Sequence, residues 1–308
     1  MGSFDEIVNP SGLISKYLKE KDRKKAFNLV NLDAAARLIW HFFGPEWYRV
    51  VFANPSIEKS PEDKRSLVNF LGSDKINHPL TEDFWSGIPT RMLRVFQLGY
   101  LLKVLAFSNN VKNIGGKIKD LKKMHFDRYF YELRIAGIFA ENDFLIEFIK
   151  DKKRSPDMRV TKDNISTLIE CKKREPVSES SINKKTLGVR DRFLDASAQL
   201  KNVGIVCVEV EDGLDYSSEE VKRYSIMLSK EVKQHTNVAC VILTWQKFQD
   251  NDVIYGQTLA RSIVNESCNA RFPVKEWCDP KKLSPRRPKV IVTLDPVPPL
   301  SSELINQK

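Results

Sequence analysis

Ser155-Pro156-Asp157-Met158-Arg159-Val160-Thr161-Lys162-Asp163-Asn164-Ile165-Ser166-Thr167-Leu168-Ile169-Glu170-Cys171-Lys172 holds two strand-like runs around one polar turn. Read as strand, Leu168 to Lys172 sends successive side chains to opposite faces. Glu170 and Lys172 then share one face, roughly 7 Å apart, while Ile169 and Cys171 share the other. A carboxylate and an amine on a strand otherwise built for a core are costly unless paired, metal-bound or functional. Asp157 precedes Glu170 by thirteen positions, the span of a hairpin with a short connection. Such a hairpin brings Asp157 next to Glu170. Two carboxylates so placed repel, and a hard divalent cation, Mg²⁺ or Mn²⁺, relieves the repulsion with oxygen ligands and water. An ion of that kind acidifies water and stabilises charge on a phosphate, with Lys172 beside it to hold the water or stabilise the transition state. The plainer readings are a turn cap for Asp157 and an exposed ion pair for Glu170 and Lys172.

Pro156-Asp157, the thirteen-residue interval and Glu170-Cys171-Lys172 resemble the signature of the PD-(D/E)XK nuclease superfamily, whose fold is restriction-endonuclease-like. The lead-in is similar too: Phe130-Tyr131-Glu132-Leu133 on a predicted helix, then Gly137, then the strand-like Phe144-Leu145-Ile146-Glu147-Phe148-Ile149. The resemblance covers roughly residues 125–245. It implies an α/β fold with a mixed-sheet core flanked by helices, and metal-dependent hydrolysis of phosphodiester bonds. It implies Mg²⁺ held by Asp157, Glu170 and the backbone carbonyl of Cys171, with Glu132 contributing directly or through water. Lys172 takes the role of positioning or activating the water. Gln199 matches the polar residue that many members carry on the helix after the third strand; an ordinary surface glutamine is the plainer reading. Glu141 and Glu147 are rivals of Glu132 for the helical carboxylate.

The 308 residues suffice for one large or two ordinary domains. An apolar share of 42% indicates a globular chain. No apolar run has the length of a membrane span, and the first residues lack a basic segment followed by an apolar core, so no secretory signal is expected. Five cysteines, an odd number without a CxxC pair, fit a reducing cytoplasm and argue against zinc. Cys207 and Cys240 read as small buried hydrophobes. The net charge is +10 and unevenly spread. Residues 1–124 carry twenty Lys and Arg against thirteen Asp and Glu, and 172–192 carry seven against three. A basic excess flanking a phosphodiester site suits a polyanion; lysines that merely keep the surface solvated would look the same.

Residues 1–124 read as a mainly helical region for nucleic-acid or partner binding, and 125–308 as the nuclease-like core with an irregular C-terminal extension. Helices are expected over Lys24–Phe43, Glu62–Leu71 and Pro89–Phe107. Trp40, Trp47, Tyr48 and Trp85 read as core aromatics more readily than as base-stacking residues. The basic run Lys112, Lys117, Lys119, Lys122, Lys123 reads either as a phosphate contact or as a solvated linker. With Lys122 and Lys123, the candidate nucleic-acid contacts are Lys173, Arg174, Lys184 and Lys185, the last four on a polar loop. His125 to Ala140 reads as the helix bearing Glu132. Strands are expected at Phe144–Ile149, Pro156–Val160, Ile165–Cys171, Val203–Val210, Asn237–Trp245 and Lys289–Leu294. Ser217–Lys233 is expected as a helix, and Tyr255–Val264 as a short one.

The expectation is an endonuclease acting on DNA; RNA stands second, since the family mostly cuts DNA. A homodimer would supply the two sites that cutting both strands requires. The alternative is a non-catalytic nucleic-acid-binding or assembly module on the same fold.

Overall fold

The computed structural model describes residues 2–17, 19, 21, 23–45, 90–122, 126–149, 155–172, 203–210, 217–248, 256–284 and 290–292. They fall in two compact units. The first runs to Lys103 and takes in 290–292; the second begins at Val104 and holds the described residues through 284. Among the described residues, no helix is long and apolar enough to cross a membrane.

The first unit is helical, with α1 (Phe4–Val8), α2 (Pro10–Tyr17), α3 (Arg23–Phe43) and the part of α4 (Thr90–Ala106) up to Lys103. Ser3 and Glu6 close a capping box at the start of α1, each satisfying a backbone N–H that the helix leaves open. Phe27, Val30, Leu38 and Ile39 bury the inner stripe of α3, at the helical spacing the sequence carries. Gly99 of α4 lies against Ala35; a Cβ there would stand 2.5 Å from the Ala35 Cα. Only hydrogen allows that approach. Trp40 departs from the expectation of core packing, since it is 49% exposed. Trp47, Tyr48, Trp85 and the helix expected at Glu62–Leu71 lie outside the described residues.

The second unit is built on a seven-stranded mixed sheet in sequence order. Its strands are β1 (Val111–Lys112), β2 (Leu145–Phe148), β3 (Met158–Lys162), β4 (Ile165–Lys172), β5 (Gly204–Glu209), β6 (Val238–Phe248) and β7 (Gly256–Val264). β2, β3 and β4 form an antiparallel meander; β4, β5 and β6 run parallel; β7 returns antiparallel along β6. β5 and the inner part of β6 are near-continuous β-branched and apolar runs, the composition of a strand covered on both faces. Helices α5 (Ile114–Leu121), α6 (Phe126–Ala140) and α7 (Glu219–Val232) flank the sheet, with two short ones, α8 (Val274–Trp277) and α9 (Pro280–Leu283), after β7. The side chain of Ser218 caps α7 by accepting from the Val221 N–H.

Three expectations change. The stretch Tyr255–Val264 is not a helix: its described part is strand β7. Leu259 and Ile263 stand four apart, as on a helix, but nine residues pair with β6, and pairing outweighs the local pattern. Within Lys289–Leu294, the described residues 290–292 are not strand. The N–H groups of Ile291 and Val292 instead donate to Asn31 Oδ1, at 2.7 and 3.0 Å. The basic run from Lys112 is no open linker either. Val111–Lys112 pairs parallel with β2, and α5 follows, its two glycines included. These elements pack with the sheet unit, although they precede residue 125.

Candidate metal centre

The hairpin is set by its turn. Asp163 and Asn164, at φ 51° and 62°, are both left-handed, which is a two-residue type I′ turn whose twist matches the strands. Lys162 therefore faces Ile165, and the pairing runs back to Met158 against Ile169. Asp157 lies one residue beyond. Its N–H donates to the Ile169 carbonyl and its carbonyl accepts from the Ile149 N–H, both at 3.1 Å. Its carboxylate accepts from the Cys171 N–H at 2.7 Å. The hairpin thus brings Asp157 beside the Glu170-Cys171-Lys172 run, as the spacing predicts.

Glu170 and Lys172 share a face, and the Lys172 Nζ donates to Glu170 Oε1. This face carries Leu168 and lies in the core formed with Val206, Val208 and the buried side of α7. Glu170 has no exposed surface, so the exposed ion pair offered as the plain reading does not apply. A carboxylate in that position needs a cation beside it.

Glu132 enters from α6, which packs against β2 and β4. It too is fully buried. Two basic side chains meet it. Lys117 of α5 donates to Oε2, and Arg128, one turn earlier on α6, donates from Nε to Oε1 at 3.3 Å. The same guanidinium reaches Asp157 Oδ1 at 3.7 Å. Burial would lower the Arg128 pKa, but Glu132, Asp157, Tyr129 and Glu170 together raise it. Arg128 thus feels all three carboxylates.

Burial and then the charge of Asp157 push the Glu132 carboxyl up to about 7, against the pull of Lys117 and Arg128. Burial alone would lower Lys117; the charge and hydrogen bond of Glu132 leave it raised instead. The Cys171 thiol is pushed up by burial and by its neighbour Cys207 across β5, which makes it an inert spacer rather than a nucleophile.

Lys117 and Arg128 are the residues that the motif does not announce. Lys117 belongs to a run whose charge reads as surface, yet the amphipathic turn of α5 buries it with Ile118 and Leu121. The i,i+4 spacing of Arg128 and Glu132 on one helix was a usable signal. The rival carboxylates are elsewhere. Glu147 pairs with Arg159 at 2.9 Å on an exposed stretch, and Glu141 is exposed beyond the end of α6. Lys122 is the half-buried C-cap of α5. Lys123, His125, Lys173, Arg174, Lys184, Lys185 and Gln199 lie outside the described residues.

Glu132, Asp157 and Glu170 offer hard oxygen donors with little or no contact with solvent, and each is met by a basic side chain. That donor chemistry fits a small divalent cation, and the cations present supply the positive charge such an ion would bring. Among the described residues, no group of three or more His, Cys, Asp or Glu stands in metal-holding geometry. No family model, curated protein or solved structure matches the chain.

Proposed function

We propose that the chain is a metal-dependent nuclease of the PD-(D/E)XK kind, an endonuclease acting on DNA, built on a restriction-endonuclease-like core. The observation that carries this reading is the docking of the Asp157 carboxylate on the Cys171 N–H, between Glu170 and Lys172, with Glu132 linked to Asp157 through Arg128. The order of α6, the β2–β3–β4 meander and the parallel strands β5 and β6 supports the fold assignment. The +10 net charge suits a polyanionic substrate.

In this reading Asp157, Glu170 and the Cys171 carbonyl would hold Mg²⁺ or Mn²⁺, and Glu132 would join directly or through water. Bound there, the ion would acidify a water and stabilise charge on the phosphate. Lys172, tethered to Glu170, orients the attacking water. The buried surroundings of Glu132 and Glu170 exclude bulk solvent, which strengthens every charge interaction in the site.

A second reading is a non-catalytic nucleic-acid-binding or assembly module on the same fold. It is favoured by one observation: each carboxylate of the site already has a basic partner. Labelled duplex, single-stranded and branched DNA, and RNA, incubated with the protein in Mg²⁺, Mn²⁺ or EDTA, separate the two. We expect DNA cleavage in either ion and none in EDTA. Lys172→Ala and Asp157→Ala should each lower the rate by about a hundredfold or more, with salt-dependent DNA binding retained. Binding without cleavage of any substrate in either ion would establish the second reading instead.

A further inference from the structure

The basic side chains around Glu132 and Asp157 differ in one respect. Lys117 is held inside, its side chain only 10% exposed, with the rings of Tyr129 and Phe148 centred 5.2 and 5.9 Å from its Nζ. The side chain of Arg128 is 48% exposed, and its contacts with Glu132 and Asp157 are single and long, 3.3 and 3.7 Å. Neither contact is the bidentate fork that locks an arginine onto a carboxylate. One cation is therefore built in, and the other has a way out to solvent.

We propose that Arg128 is an exchangeable counter-cation of the Glu132–Asp157 pair, which a divalent ion must displace in order to bind. The proposal rests on reading these carboxylates as a metal centre, and it concerns what sets the affinity of that centre. Without an ion, two buried carboxylates side by side need positive charge, and Lys117 and Arg128 provide it. An incoming divalent ion meets like charge at short range. Lys117 cannot retreat, because apolar and aromatic groups enclose it. Arg128 can swing outward on its flexible stem. Its guanidinium then stands in solvent, where a phosphate oxygen is the natural partner for the freed fork. Arg128 is thus a positioning residue, holding the site in register until ion and substrate replace it.

The test is calorimetric titration of Mn²⁺ into the whole protein and into its Arg128→Gln, Arg128→Lys and Asp157→Asn variants. Removing one like charge from beside the site should tighten Mn²⁺ binding by about tenfold in Arg128→Gln. Arg128→Lys, which keeps the charge, should stay near wild type. Asp157→Asn should lose the ion. Unchanged or weaker binding in Arg128→Gln overturns the proposal, and the metal centre itself still stands if Asp157→Asn loses the ion. Equal Mn²⁺ binding in wild type and Asp157→Asn, or none in wild type and Arg128→Gln alike, overturns the metal centre and the proposal with it. A measurement on wild-type protein covers the case of a poorly folded variant. Saturation with Mg²⁺ should shift the Arg128 Nε–H resonance, and a resonance that stays in place rules the displacement out.

Discussion

Glu132 is a carboxyl on a helix, a residue type that normally faces water. Here it is sealed between α6 and the sheet, and its pKa rises from an ordinary 4.5 to about 7, by burial first and by Asp157 second. The folded protein therefore holds a proton on this group through a pH range where the unfolded chain has released it. The resulting stabilisation is complete below about pH 4.5 and has gone once the pH passes about 7. In EDTA, urea denaturation at stepped pH should show stability falling across that window. Glu132→Gln, which is neutral throughout, should flatten the fall. An unchanged slope in the variant would show that Glu132 is already ionised at pH 5 in the folded state.

The β3–β4 hairpin is the element on which the site depends, and its turn holds two successive left-handed residues, Asp163 and Asn164. Asp and Asn tolerate that conformation better than other residues with a Cβ, because their short polar side chains bond locally. Asp163→Val should cost about 1–2 kcal/mol of stability, the penalty of a left-handed conformation for a branched side chain. Asn164→Gly should be neutral or mildly stabilising. Denaturant melts of the two variants measure the difference. Because a register slip of one residue moves every side chain to the other face, Asp163→Val should, on the nuclease reading proposed above, also lower cleavage more than its stability loss explains. Asn110 and Asn113 do comparable work at the far edge. Their side-chain amides donate to the Phe144 and Phe148 carbonyls, at 2.8 and 3.0 Å, and seat β1 against β2.

At the scale of the molecule, each compact unit is closed by contacts between distant parts of the chain. In the sheet unit, the Asn265 amide donates to the carbonyls of Val232, His235 and Val238, tying the end of β7 to the link between α7 and β6. In the helical unit, Asn31 of α3 is fully buried and bonds both N–H groups and one carbonyl of 291–292. Lys103 adds bonds to the carbonyls of Val290 and Ile291, at 3.2 and 2.5 Å. Without Asn31, two buried N–H groups lose their acceptor. Asn31→Leu should destabilise the helical unit by about 2–4 kcal/mol, and limited proteolysis should then cut near residue 290 earlier than in wild type. Equal digestion rates would show that the bonds are replaced by other acceptors.

Much of the sheet unit was legible in the order of residues. Period-two alternation, the Asp163-Asn164 turn and the β-branched run of β5 are local signals, and they yielded the separate strands, the β3–β4 hairpin and the approach of Asp157 to Glu170; which strands pair parallel is read from the fold. The shared face of Glu170 and Lys172 follows from strand periodicity alone. β7 was hidden, because an edge strand owes its conformation to its neighbour β6 more than to its own pattern. The segment 290–292 was hidden for the same kind of reason: a side chain 260 residues away, Asn31, takes the hydrogen bonds that a strand partner would. So too was the part played by Lys117, since a lysine on a short helix reads as solvated until the fold buries that helix against Glu132. Charge type and spacing belong to the chain. Which charge ends up buried, and beside which partner, depends on packing between elements far apart in sequence, and only the tertiary structure decided it.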